Sequence, residues 1–123
     1  MNGQALRIWL VDDDASIRWV LERALRNGGM APRAFEAAEP ALDALRRESP
    51  DVLITDIRMP GMSGLDLQSK LNRDRIRIPI IFITALGDEK MRMQALRAGA
   101  VEFLSKPFDD DALLDTVRAA LNS

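Results

Sequence analysis

The 123-residue chain has no cysteine, no histidine and no tyrosine. Without cysteine, disulfides, thiolate zinc sites and thiol nucleophiles are excluded. Without histidine there can be no His-based triad, no imidazole metal ligand and no self-phosphorylation on histidine. An excess of either charge is also missing: 19 acids against 17 bases leave a formal charge of −2, so no basic footprint for nucleic acid is present. No apolar run approaches the roughly 20 residues that span a bilayer. The amino terminus, Met1-Asn-Gly-Gln4, lacks the charged and apolar regions of a signal peptide. The expectation is one soluble cytoplasmic domain, 1–123, long enough to bury a core without staples, touching neither membrane nor nucleic acid directly.

What is present is a regular alternation of strand and helix. Leu6 to Val11 is apolar on both faces apart from Arg7 and predicts a central strand that runs into Asp12-Asp13-Asp14. Ile17, Val20, Leu21, Ala24 and Leu25 recur at the spacing of one buried helix face, closed by Gly28-Gly29. Ala31 to Phe35, with Pro32 inside it, predicts an edge strand. A helix begins near Pro40, turns Ala41, Leu42 and Leu45 inward and is closed by Ser49-Pro50. Val52 to Thr55 predicts a fully buried strand ending on Asp56, after which Pro60, Gly61 and Gly64 break the chain into a loop.

Ser63 caps a helix carrying Leu65, Leu67 and Leu71, and Pro79 to Ile83 is another buried strand ending at Thr84. Asp88 starts a helix with Met93, Leu96 and Ala100 on its inner side, Met91 off that face, and Gly99 as its stop. Val101 to Leu104 is a last strand running to Ser105-Lys106-Pro107, and Asp109 caps a helix striped by Leu113, Leu114, Val117 and Leu121. Five such strand–helix units with short connections imply right-handed crossovers and a parallel sheet covered by helices on both faces.

In a parallel sheet every carboxyl end lies on one edge, so Asp12, Asp13, Asp56, Thr84 and Lys106 can converge from four strands. Close carboxylates raise one another's pKa unless something offsets the repulsion. A hard divalent cation and the Lys106 ammonium would do so, and an all-oxygen donor set suits Mg²⁺. Such a pocket can hold a phosphoryl group: Mg²⁺ and Lys106 neutralise its oxygens, Thr84 donates a hydrogen bond, and Asp56 attacks phosphorus in line. A cluster of acids at a helix start is also favourable at the positive end of the helix dipole. That accounts for one or two of these acids, and not for complementary groups at the ends of four strands.

Val11-Asp-Asp-Asp14, Asp56-Ile-Arg-Met-Pro-Gly-Met-Ser-Gly64, Ile83-Thr84-Ala85 and Lys106-Pro107-Phe108 resemble the receiver domain of two-component response regulators over essentially the whole chain. Ser16 to Arg23 and the Asp56 loop are similar to NtrC-type receivers, whereas Gly99 to Asp109 is closer to FixJ-like ones. The resemblance implies the α/β flavodoxin-like (βα)5 fold, a doubly wound parallel sheet in strand order 2-1-3-4-5. It implies a phosphorylation-dependent switch rather than an enzyme, with Asp56 accepting the phosphoryl group from a sensor histidine kinase. Asp13, Asp56 and the Arg58 carbonyl would ligate Mg²⁺ directly and Asp12 through water, with Lys106 as the phosphate partner. Thr84 and Phe103 would be the switch pair, Phe103 standing where many relatives have Tyr, and the Lys106–Pro107 bond would be cis.

The face formed by the fourth helix, last strand and last helix would then change to control an attached output domain, expected to be transcriptional and to lie outside this chain. A phosphorylation-dependent homodimer through the same face also belongs to the family's repertoire. The segment Asp88 to Arg97, methionine-bearing and highly charged, is expected to be the mobile part. Trp19, off the first helix's apolar face beside Arg18, Arg23 and Arg26, is expected to pack against a neighbouring helix.

Three rivals fit less well. A haloacid-dehalogenase-type phosphatase would need a second acid where Arg58 stands. An interaction domain that has lost the chemistry would lack a member of the pocket, and none is missing. A flavodoxin-like redox protein would need a Ser/Thr/Gly-rich phosphate loop.

Overall fold

The computed structural model describes residues 4–122, so Met1–Gly3 of the signal-peptide argument and the terminal Ser123 lie outside the described residues. The elements alternate as expected: β1 (Arg7–Val11), α1 (Ala15–Asn27), β2 (Ala31–Phe35), α2 (Ala38–Leu45), β3 (Val52–Asp56), α3 (Gly64–Arg73), β4 (Ile80–Thr84), α4 (Glu89–Arg97), β5 (Glu102–Ser105) and α5 (Asp110–Leu121). All strands pair in parallel in the order β2-β1-β3-β4-β5, the flavodoxin-like arrangement. Pro32 sits in β2, on the edge, where a missing backbone donor is tolerated.

Each strand feeds two cores because its side chains alternate across the sheet. Ile8, Leu10, Val52, Ile54, Ile81, Ile83 and Leu104 pack beneath α1 and α5 with Leu21, Leu25, Leu113 and Val117. Trp9, Val11, Leu53, Ile80 and Phe82 pack on the opposite side with Ala41, Leu45, Leu67, Leu71 and Ala95, contributed by α2, α3 and α4. With both faces covered, a one-residue slip of any central strand would exchange its side chains between the two cores, so the register is strongly specified.

Four details depart from the sequence expectations. The second helix starts at Ala38, two residues before Pro40; Pro40 still falls within the first turn, where no intrahelical donor is lost. Val20 is 38 % exposed and Trp19 60 % exposed, its indole lying under the Arg23 guanidinium 5.0 Å from the ring centroid rather than in either core of the described residues. Ala100 is buried as expected, but within α4 Met93 and Leu96 are 49 % and 52 % exposed, while Ala95 is fully buried and Met91 packs half-buried on the core. The small Ala95 lets α4 approach α3 closely enough for buried Gln68 Nε2 to donate to the Ala95 carbonyl at 2.9 Å. Met91 lies four residues earlier and therefore on the same side.

Helix α1 is closed by left-handed Gly29 (φ 81°), as glycine there allows. Helix α3 reaches the same conformation with Arg75 (φ 59°), the non-glycine residue recorded in that region among the described residues. A side chain there is strained by about 1 kcal/mol relative to glycine. Arg75→Gly is therefore expected to raise the unfolding free energy by about 0.5–1 kcal/mol despite the greater freedom of the unfolded chain, measurable as a higher urea midpoint at unchanged slope.

Candidate functional site

The strand register delivers the site. Val11 lies opposite Thr55, Asp56 opposite Ile83 and Thr84 opposite Ser105, so Asp12, Asp56, Thr84 and Lys106 emerge at the same sheet edge. Alternation along the strands gives Asp12, Asp56 and Lys106 the same side of the sheet, that of α1 and α5. Thr84 shares the side of Phe82 and Phe103.

The three consecutive acids after β1 divide their tasks. Asp14 is the N-cap of α1, its carboxylate accepting from Ser16 N at 2.8 Å and Ile17 N at 3.4 Å. Asp12 is fully buried; its Oδ1 accepts from Asp14 N at 2.9 Å, and its own carbonyl accepts from Arg18 Nη1 at 2.8 Å. Asp13 stands exposed at the rim. Capping thus accounts for Asp14 alone and leaves the other two for the pocket. Ligand oxygens of Asp12, Asp13 and Asp56 all lie within 4.8 Å of one another.

Lys106 Nζ reaches Asp56 Oδ2 at 3.3 Å, and Arg58 N donates to Asp56 Oδ1 at 3.2 Å. Lys106 follows β5 immediately and precedes Pro107 across a cis bond, as expected. The Asp56 backbone is pressed by the start of α3: a Cβ at Gly64 would overlap the Asp56 carbonyl oxygen, so only glycine fits there. Ser63 and Asp66 close a reciprocal capping box on that helix, fixing the loop's far end.

Thr84 is buried and lines a cavity of about 250 Å³ with Lys106, Ser105, Asp88 and Arg92. Its carbonyl accepts from Lys106 N at 2.9 Å. Phe103 is apart from the acids: its ring stacks on Phe82 at 6.3 Å between centroids and lies under the Arg92 guanidinium at 4.8 Å.

Asp88 was anticipated only as a helix start. Its side chain makes no capping bond to α4; it turns into the site, accepting from Ala85 N at 2.8 Å and from Arg58 Nε at 2.5 Å. Nothing in the sequence distinguishes it from an ordinary N-cap acid, because the Arg58 partner is thirty residues away. Burial alone would raise the Asp88 pKa, but the Ala85 amide and the Arg58 guanidinium together hold it below the usual carboxylate value.

Asp12 is shifted the other way. Burial pushes it from 3.8 to about 6; the Asp14 amide opposes the shift, the Asp56 charge adds to it, Lys106 opposes it and Asp13 adds to it. Asp12 Oδ2 is the buried side-chain oxygen without a hydrogen-bond partner among the described residues. A buried, unpartnered carboxylate oxygen beside two further carboxylates fits a hard cation, which would satisfy that oxygen and cancel the repulsion.

A doubly wound α/β domain with a cation-competent acidic pocket and a lysine at the carboxyl edge of its sheet is a phosphoryl-handling class of protein. Residues 8–118 match the family model described as "Response regulator receiver domain". The chain is 46 % identical over 114 residues to the DNA-binding transcriptional regulator NtrC of Klebsiella pneumoniae, covering 93 % of this chain and 24 % of that protein. It is 46 % identical over 113 residues to Nodulation protein W of Bradyrhizobium diazoefficiens, covering 92 % of this chain and 50 % of that protein. The crystal structure of FixJ-N superposes with a TM-score of 0.90 at 37 % identity, covering 97 % of this chain and 95 % of that one. The chain spans about a quarter of the length of one of these two curated relatives and half of the other. It belongs to the response regulator receiver domain family, whose members are phosphorylation-dependent switches.

The raised Asp12 pKa has a defined sign. Between pH 3.8 and about 6 the folded protein binds more protons at Asp12 than the unfolded chain does, so this group's stabilising contribution is complete below pH 3.8 and is lost as pH rises through 6. Asp12→Asn is expected to stabilise the cation-free fold at neutral pH by about 1–2 kcal/mol, allowing for solvent at the pocket mouth. A divalent cation favours the ionised form of the neighbouring Asp12, so its apparent affinity in the wild type should weaken as pH falls below 6. Calorimetric titration on either side of that pH checks it; a pH-independent affinity would remove Asp12 from the cation site.

Proposed function

We propose that Asp56 accepts a phosphoryl group from the phosphohistidine of a sensor histidine kinase in the presence of Mg²⁺, and that the change reaches an output domain through α4, β5 and α5. The observation that carries this is the Lys106 Nζ to Asp56 Oδ2 ion pair at the mouth of the three-carboxylate pocket. Asp13, Asp56 and the Arg58 carbonyl would hold Mg²⁺, with Asp12 acting through water. When bound, the ion would neutralise oxygens of the transferring group and align it with Asp56.

One Asp56 oxygen forms the new P–O bond while the P–N bond to the donor breaks, the departing imidazole nitrogen keeping the electron pair. Lys106 follows the charge from the carboxylate to the phosphoryl oxygens, and Arg58 N keeps the carboxyl plane oriented. The role is that of a switch that assists its own phosphorylation and dephosphorylation, not of an enzyme with a separate substrate.

Thr84, buried beside Lys106, would then donate to the new oxygens. Phe103 would repack in response, exchanging its cover under Arg92 for a deeper seat against Phe82. Met93 and Leu96, exposed on α4, and Leu86 before it supply apolar surface for the output domain or for a phosphorylation-dependent homodimer. The full-length protein would carry this domain, 1–123, beside a transcriptional output domain, in the cytoplasm where its kinase partner presents the phosphohistidine.

Incubation with Mg²⁺ and acetyl phosphate should add one phosphoryl group, mapped by mass spectrometry to Asp56 and absent from Asp56→Asn. A variant that still labels at the wild-type rate would move the acceptor elsewhere. Thr84→Ala should retain most of the labelling while the phosphorylation-induced NMR shifts across α4 and β5 shrink; equal shifts in both proteins would remove Thr84 from the relay.

A further inference from the structure

We infer that Asp88 is a positioning residue that, through Arg58, locks the loop after Asp56 to the loop after Thr84 so that the two move as one body. The inference rests on the assignment of Asp56 as phosphoacceptor. Its geometry is independent of that assignment.

Both oxygens of Asp88 are committed. Oδ1 accepts from Arg58 Nε, which belongs to the β3–α3 loop, and Oδ2 accepts from Ala85 N, which belongs to the β4–α4 loop. The Asp88 side chain is 6 % exposed, whereas that of Arg58 is 62 % exposed. A surface guanidinium has thus been drawn onto a buried carboxylate, whose side of the pair is shielded from water. The same Arg58 donates its backbone N–H to Asp56 Oδ1. Fixing the side chain of Arg58 fixes the peptide that orients Asp56.

The other end of the tie is equally specific. Asp88 N donates to the Ala85 carbonyl at 3.2 Å, and the Asp88 carbonyl accepts from Arg92 N at 2.8 Å, within the first turn of α4. Residue 88 is therefore joined to the peptide after Thr84 and to the helix that follows it. An acid at this position normally spends its carboxylate on the N–H groups of its own helix. Asp88 leaves those unserved and spends it between two loops, and the lowered pKa keeps it ionised through the neutral range.

The test is a double-mutant cycle with Arg58→Gln, Asp88→Asn and the double variant, beginning with amide NMR of the metal-free proteins. Arg58 is on the surface, so Arg58→Gln keeps the cycle informative should the buried substitution reduce stability. Each single change is expected to shift the amide resonances of Asp56, at the end of β3, and Ala85, in the β4–α4 loop, together, and the double variant should match the singles rather than sum them. Mg²⁺ alone, titrated by calorimetry, should bind each variant about tenfold more weakly than wild type, again without addition in the double. If Arg58→Gln leaves the Ala85 resonance and Mg²⁺ affinity at wild-type values, or if the effects add, the tie is a surface ion pair of no consequence. Failure of the wild type to take label from acetyl phosphate would instead overturn the phosphoacceptor assignment, with the metal-free cycle still deciding whether the loops are coupled.

Discussion

The structure depends on an electrostatic conflict held at one edge of the sheet. Three carboxylates, two from the loop after β1 and one at the end of β3, bring their oxygens within 4.8 Å of one another, and one of them, Asp12, has an oxygen with no partner among the described residues. Burial is the main cause that lifts the Asp12 pKa to about 6, and the neighbouring Asp56 and Asp13 charges add to it. Lys106 relieves part of it from the far side, at 3.3 Å from Asp56. The remainder is a standing demand for positive charge. A cation held there would remove a penalty already present in the folded state, and would gain further from any anionic group that it and Lys106 could share.

Holding the conflict in place is the task of the rest of the molecule. β1, β3 and β4 are buried on both faces, and each splits its side chains between two cores. Sliding one strand to separate the acids would empty both cores at once, at a cost of several kcal/mol for each large side chain displaced. Gly64 adds a local wall, since α3 sits directly against the Asp56 carbonyl. Packing thus supplies the free energy that keeps like charges together.

Legibility in the sequence follows the same division. Fully buried strands announce themselves as short β-branched runs, and the polar residue ending each run is visible without coordinates, so Asp56, Thr84 and Lys106 could be placed at one edge. The strand order needed the family resemblance, because periodicity does not say which strand lies beside which. The phase of α4 was not legible: Met93 and Leu96 are the larger apolar residues, yet Ala95 and Met91 face the core. Helix phase there is decided by backbone approach to α3 and by the Gln68 amide, and neither has a hydropathy signal. Trp19 misleads for a related reason, since its apolar ring lies under Arg23 rather than in either core of the described residues. Asp88 was hidden because the chemistry of an N-cap and that of a loop tie use the same residue type at the same place.

Helix α4 is held at its two ends by different kinds of contact. Ala95 is its buried residue, so apolar packing holds it weakly compared with α1 or α5. Its ends are held by polar groups instead. Gln68 and Asn72, one turn apart on α3, donate to the Ala95 and Ala98 carbonyls at its carboxyl end, each at 2.9 Å. Asp88 holds its amino end to Ala85 and Arg58. A helix fastened this way has few intermediate positions: hydrogen bonds are directional and are lost within a few tenths of an ångström, whereas apolar contacts yield gradually. The two ends also face different neighbours, the carboxyl end helix α3 and the amino end the loops around Asp56 and Thr84. Change in the charge at Asp56 can act directly only on the second. Were α4 to take a second setting, the balance would turn on one or two hydrogen bonds, a few kcal/mol, which is the range in which a single covalent event can reverse a population.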